Sequence, residues 1–101
     1  MSRQIDNEED FYPKSIRESI EQFMCLNWSG NDFDYIISCP KDKKERLYAN
    51  FCPTVKDICG LEHNYKLREN CGFVDLSSQK ASEIIVDAIW EYFQGKELSQ
   101  F

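Results

Sequence analysis

Three of the five thiols and the one imidazole of this chain fall close together in sequence: Cys52, Cys59, His63 and Cys71, with Asp57 and Glu62 among them. Covalent catalysis by a thiol needs a base within hydrogen-bond reach and a third group to orient that base. Cys59, His63 and Asp57 or Glu62 are the set from which such a triad would be drawn. No strained nucleophile turn and no Gly-rich oxyanion loop accompanies them, and His63 sits in the polar run Leu61-Glu62-His63-Asn64, where a solvated loop residue is the plainer reading. The same thiols and imidazole are zinc-ligand types. Their spacing argues against a zinc shell, because no C-x-x-C pair forms a knuckle and Gly60 places a helix stop between Cys59 and His63. The glycines, Gly30, Gly60, Gly72 and Gly95, form neither G-x-G nor a P-loop, so no phosphate cradle is present. The sequence assigns no catalytic residue, no metal ligand and no cofactor, and the expectation is a protein that is not an enzyme.

The elements that would position any site follow from periodicity. In Ser77 to Gly95, the residues Ala81, Ile84, Ile85, Ala88, Ile89, Tyr92 and Phe93 recur at spacings of three and four, which places them on one side of a helix. Ser77 or Ser78 caps its start and Gly95 its end. Val86 and Trp90 lie at the border between this apolar face and an acidic one carrying Glu83, Asp87 and Glu91. A first helix is expected to start between Pro13 and Ile16, with Ser15 and Glu18 as a capping box, and to run to about Leu26 or Asn27 on Ile16, Ile20, Phe23 and Met24. Trp28-Ser29-Gly30-Asn31 reads as its stop.

From Phe33 the period becomes two. Phe33, Tyr35, Ile37 and Cys39 alternate with Asp34, Ile36 and Ser38, which predicts a strand. After the polar turn Pro40 to Lys44, Leu47, Ala49 and Phe51 alternate with Tyr48, Asn50 and Cys52, predicting its hairpin partner, with helix as the rival because KKERLYA contains good helix formers. Pro53 to Gly60 reads as a short helix. Tyr65 to Arg68 and Phe73 to Leu76 read as strands of a second hairpin about the turn Glu69-Asn70-Cys71-Gly72. The expected fold class is therefore α+β: a small single domain over residues 11–101, in which an antiparallel sheet of about two hairpins packs against an N-terminal and a C-terminal helix. Residues 1–10, with Asp6, Glu8, Glu9 and Asp10, read as a flexible acidic segment.

Composition bounds the function. Twelve basic against eighteen acidic side chains leave a net charge of −6 on 101 residues, so the summed field repels phosphate backbones and attracts cationic surfaces. No apolar run is long enough to span a bilayer, and the first residues lack a secretory pattern. Five cysteines are an odd number, and reduced thiols in a cytoplasmic setting are the expectation. Lys41, Lys43, Lys44 and Arg46 form a weak basic patch, offset by Asp42 and Glu45. The recognition surface is expected where acidic and large aromatic side chains coincide: Glu83, Asp87, Trp90 and Glu91 on the last helix, with Asp32, Asp34, Trp28 and Tyr48 elsewhere. Trp90 is equally placed to close the core.

This profile of a small, acidic, cysteine-containing domain without a catalytic constellation resembles in type that of bacterial immunity proteins and phage-encoded inhibitors. The expected function is a protein inhibitor that blocks a basic partner, such as a nuclease toxin or a nucleic-acid-handling effector, without direct nucleic-acid or membrane binding. The alternative is a non-catalytic adaptor or regulatory subunit that binds a host protein through an apolar edge or helix face.

Overall fold

Helix-forming periodicity governs more of the chain than its alternating stretches suggest. The computed structural model describes residues 12–26, 28–72 and 77–101, and among them there are five α-helices and no strand. They are α1 (Ile16–Met24), α2 (Gly30–Ser38), α3 (Glu45–Cys59), α4 (Tyr65–Cys71) and α5 (Ser78–Phe93), with 3₁₀ turns at Lys41–Lys43 and Leu98–Gln100. The expected α+β class with its antiparallel sheet is thus replaced by an all-helical fold. The strand expected over Phe73 to Leu76 and the N-terminal segment 1–10 lie outside the described residues.

α5 is the spine. It packs most extensively on α3 and also meets α1, α2 and α4. Ser77 caps it by accepting from the Lys80 N–H, and the Lys96 N–H closes its end on the Glu91 carbonyl across Gly95, whose φ is +114°. Ala81, Ile85, Ala88 and Ile89 are buried as the spacing predicts, and Val86 joins them in the core. In α1 the Ser15 hydroxyl accepts from the Glu18 N–H, as in a capping box, but the Glu18 carboxylate accepts from the Lys14 N–H rather than from Ser15. Ile20 and Phe23 are fully buried.

The first hairpin fails for two local reasons. Ser29 and Asp32 form a capping box, so the segment that reads as the stop of α1 is also the start of α2. The buried positions in α2 and just after it are Ile36 and Cys39, three residues apart, with Phe33 half-buried three residues earlier. Tyr35 and Ile37, expected on one strand face together with Phe33 and Cys39, are exposed. In α3 the buried residues Leu47, Phe51, Val55 and Cys59 recur every four residues straight through Pro53. The expected second strand and the expected short helix are one element of 15 residues. Pro53 has no N–H to give to the Ala49 carbonyl, a loss that burial on both sides of it outweighs. KKERLYA, read as a rival helix, lies across the start of α3.

The second hairpin is replaced by α4. Asn64, itself buried, caps it by accepting from the Leu67 N–H at 3.2 Å and donates to the carbonyls of Pro13 (2.7 Å) and Cys59 (2.8 Å). One amide therefore joins the entry to α1, the end of α3 and the start of α4. Gly60 ends α3 in the left-handed region at φ +57°, and a Cβ there would lie 2.8 Å from the Tyr12 ring. Both conditions call for glycine.

Candidate partner-binding groove

The residues named as a recognition surface divide between two regions. Trp28 and Asp32 lie in an open groove between α2 and α3, together with Tyr35, Asn50 and Phe51. Tyr48, Asp87 and Trp90 meet in a seam between α3 and α5, with Glu83 and Glu91 along α5. Asp34 is exposed on α2.

In the groove the capping box fixes Asp32: its Oδ2 accepts from the Ser29 N–H at 3.0 Å and from the Ser29 hydroxyl at 2.9 Å. Tyr35 follows three residues later, hence on the same side of the helix. Trp28 stacks on buried Phe23 with ring centroids 4.7 Å apart and meets the edge of Phe51 at 5.5 Å, while Tyr35 lies 6.3 Å from Phe51. The Trp28 Nε1–H donates to the Phe23 carbonyl at 2.7 Å. Asn50 donates from Nδ2 to the Arg46 carbonyl at 2.7 Å and to the Tyr35 hydroxyl at 3.1 Å, which ties α3 to α2. The result is a concavity of about 390 Å³ with three aromatic walls and one carboxylate. The Trp28 Nε1–H and both Nδ2–H groups of Asn50 are used within the protein. Among the described residues, Asp32 Oδ1 and Asn50 Oδ1 receive no hydrogen bond.

The seam is arranged differently. Tyr48 donates its hydroxyl to Asp87 Oδ1 at 2.6 Å, and Lys44 Nζ lies 3.2 Å from the same oxygen and 5.2 Å from the centre of the Trp90 ring. Burial, reinforced by the Asp87 hydrogen bond, pushes the Tyr48 phenol well above its usual range. Trp90 is half-buried and donates to the Cys39 carbonyl at 2.8 Å, which fastens α5 to the end of α2; Gln94 adds a bond to the Ile37 carbonyl at 2.9 Å. Glu83 accepts from Gln79 at 3.0 Å, and Glu91 pairs with Lys96 at 2.9 Å. The expected basic patch is broken up in the same way, since Lys44 is drawn into the seam.

The thiols are placed for packing. Cys39, Cys52 and Cys59 are buried, Cys71 is half-buried and Cys25 is exposed. Burial pushes the Cys59 thiol up to about 11, and Cys59 lies against the Ser19 hydroxyl. His63 is exposed. No group of three or more His, Cys, Asp or Glu among the described residues is placed to hold a metal ion. No helix among them is long and apolar enough to cross a membrane.

Sequence reasoning misses Tyr35, Asn50 and Phe51, because a two-residue period places them on strands of a hairpin rather than on two helices. The signal that finds them is Ser29-x-x-Asp32, a capping box from which the helical register of Tyr35 follows. Comparison of the chain with protein-family models, with curated proteins and with solved structures finds no match in any of the three.

Proposed function

We propose that the protein is a non-catalytic inhibitor that binds and blocks a basic protein partner, a nuclease toxin or a nucleic-acid-handling effector, in a cytoplasmic setting. The observation that carries this reading is the α2–α3 groove, where aromatic walls and a carboxylate coincide on a chain of net charge −6. Carboxylates steer the encounter with a cationic surface, and aromatic side chains supply the desolvated contact area that holds it. Within this reading Trp28, Asp32 and Asp34 belong to the contact surface, joined by Tyr35. Glu83, Asp87 and Glu91 contribute mainly to the long-range field, since each already has an internal partner. The test is titration of the protein against basic nucleases over a series of salt concentrations. A stoichiometric complex that weakens as salt rises is expected, and no complex with any basic nuclease would remove the reading.

One observation favours an adaptor instead. Ile37 is 50% exposed on α2, an apolar side chain that a host protein would cover. For an adaptor of this kind, binding would vary little with salt and would be lost on Ile37→Asp.

A further inference from the structure

We infer that the α2–α3 groove is an anchor site for the guanidinium group of an arginine side chain. The inference rests on the proposed basic partner for the source of that arginine, and on the groove alone for its chemistry. The unused hydrogen-bonding capacity of the lining groups is mostly that of acceptors. The Trp28 Nε1–H and both Nδ2 bonds of Asn50 are spent on the protein itself. Beyond the Tyr35 O–H, which is free to rotate, the unused capacity of the lining side chains is that of acceptors: Asp32 Oδ1, Asn50 Oδ1 and a remaining lone pair of the Tyr35 hydroxyl. Around them stand the π-faces and edges of Trp28, Tyr35 and Phe51.

A ligand that fits must bring donors and positive charge. Guanidinium has five N–H donors in a plane, accepts none, and stacks on aromatic rings. A quaternary ammonium would satisfy the aromatic walls but leave the acceptors unpaired. A neutral apolar anchor would strip water from the Asp32 carboxylate without replacing it. An anion would meet that carboxylate directly. The volume of about 390 Å³ lies at the lower end of the roughly 300–1,000 Å³ range of ligand pockets, which suits one long side chain.

The inference is tested by NMR titration of the full chain with three blocked tripeptides, Gly-X-Gly, where X is arginine, citrulline or trimethyl-lysine. The arginine peptide is expected to bind about tenfold more tightly than the citrulline peptide, which keeps the shape and loses the charge. It should also bind more tightly than the trimethyl-lysine peptide. Asp32→Asn and Tyr35→Ala are each expected to weaken arginine binding about tenfold. Asp32 also takes part in the cap of α2, whereas Tyr35 is partly exposed and its loss leaves the cap intact, so the second variant keeps the test valid if the first disturbs the helix. Equal affinity for arginine and citrulline, or unchanged arginine binding in Tyr35→Ala, overturns the inference. If the arginine peptide binds as expected while no basic nuclease does, the anchor stands and the inhibitor reading falls. If a salt-sensitive nuclease complex forms and both variants bind it undiminished, the anchor falls and the inhibitor reading stands.

Discussion

The α2–α3 groove and the α3–α5 seam are built from the same kinds of residue, and they do opposite things with them. Each holds a tryptophan, a tyrosine and an aspartate. In the seam the phenol of Tyr48 and the ammonium of Lys44 converge on Asp87, and the Trp90 indole is bonded to the Cys39 carbonyl, so the polar groups hold two helices together. In the groove Asp32 keeps one oxygen for the solvent side and Asn50 keeps its carbonyl, while the rings form walls on a support of Phe23. Acidic and aromatic composition alone does not distinguish a brace from a docking surface. The direction of the hydrogen bonds does.

The comparison predicts a graded series of effects. The largest is expected for Phe23→Ala, because Phe23 is fully buried and carries Trp28 on one face and Phe51 on another. A loss of about 3–5 kcal/mol is expected for such a truncation, read from urea unfolding. A cost below about 1 kcal/mol would mean that the groove wall does not depend on the core.

Alkaline pH comes next. A group whose folded-state pKa is raised holds its proton more tightly when folded, so its contribution is complete below the unfolded value and is lost as pH rises through the folded one. Burial raises Cys59 from 9.0 to about 11, and Tyr48 in the seam is raised above 10.0. Stability is therefore expected to fall from about pH 9 upward, and Cys59→Ala should flatten the first part of that fall in unfolding midpoints taken across this range. In the same pH range a thiol reagent should label Cys25 in the folded protein and reach Cys59 only on unfolding. Equal labelling rates would contradict the burial of Cys59.

The two tyrosines sharpen the contrast. Tyr48→Phe leaves the half-buried Asp87 with Lys44 alone, and a loss of about 1–2 kcal/mol is expected. Tyr35→Phe removes a hydroxyl from a partly exposed ring and should change stability by less than about 0.5 kcal/mol. A reversal of that order in denaturant midpoints would exchange the roles of the two regions.

The ends of the chain's helical order were legible before its middle. α1 and α5 carry a serine cap and a clean spacing of three and four, so their faces follow directly. α2 and α3 carry accidental alternation: Phe33, Tyr35, Ile37 and Cys39 satisfy a period of two, although the buried positions, Ile36 and Cys39, obey a helical one. Pro53 looked like a boundary and lies within a helix. For the site, Trp28 and Asp32 could be named from residue type, but Tyr35, Asn50 and Phe51 depend on a register that the strand reading reversed. The internal use of Asp87 and Trp90 was beyond local reading altogether, because their partners Tyr48 and Cys39 lie 39 and 51 residues away in the chain.

The chain has two tryptophans, one in each region, and each indole N–H is held by a backbone carbonyl. Their two indole signals in one nitrogen–proton NMR spectrum, followed as the arginine tripeptide is added, report on the two regions side by side and decide whether the groove is the anchor. The Trp28 signal is expected to move and saturate while the Trp90 signal stays in place. Movement of Trp90 with Trp28 unchanged would assign recognition to the seam and overturn the groove as the anchor.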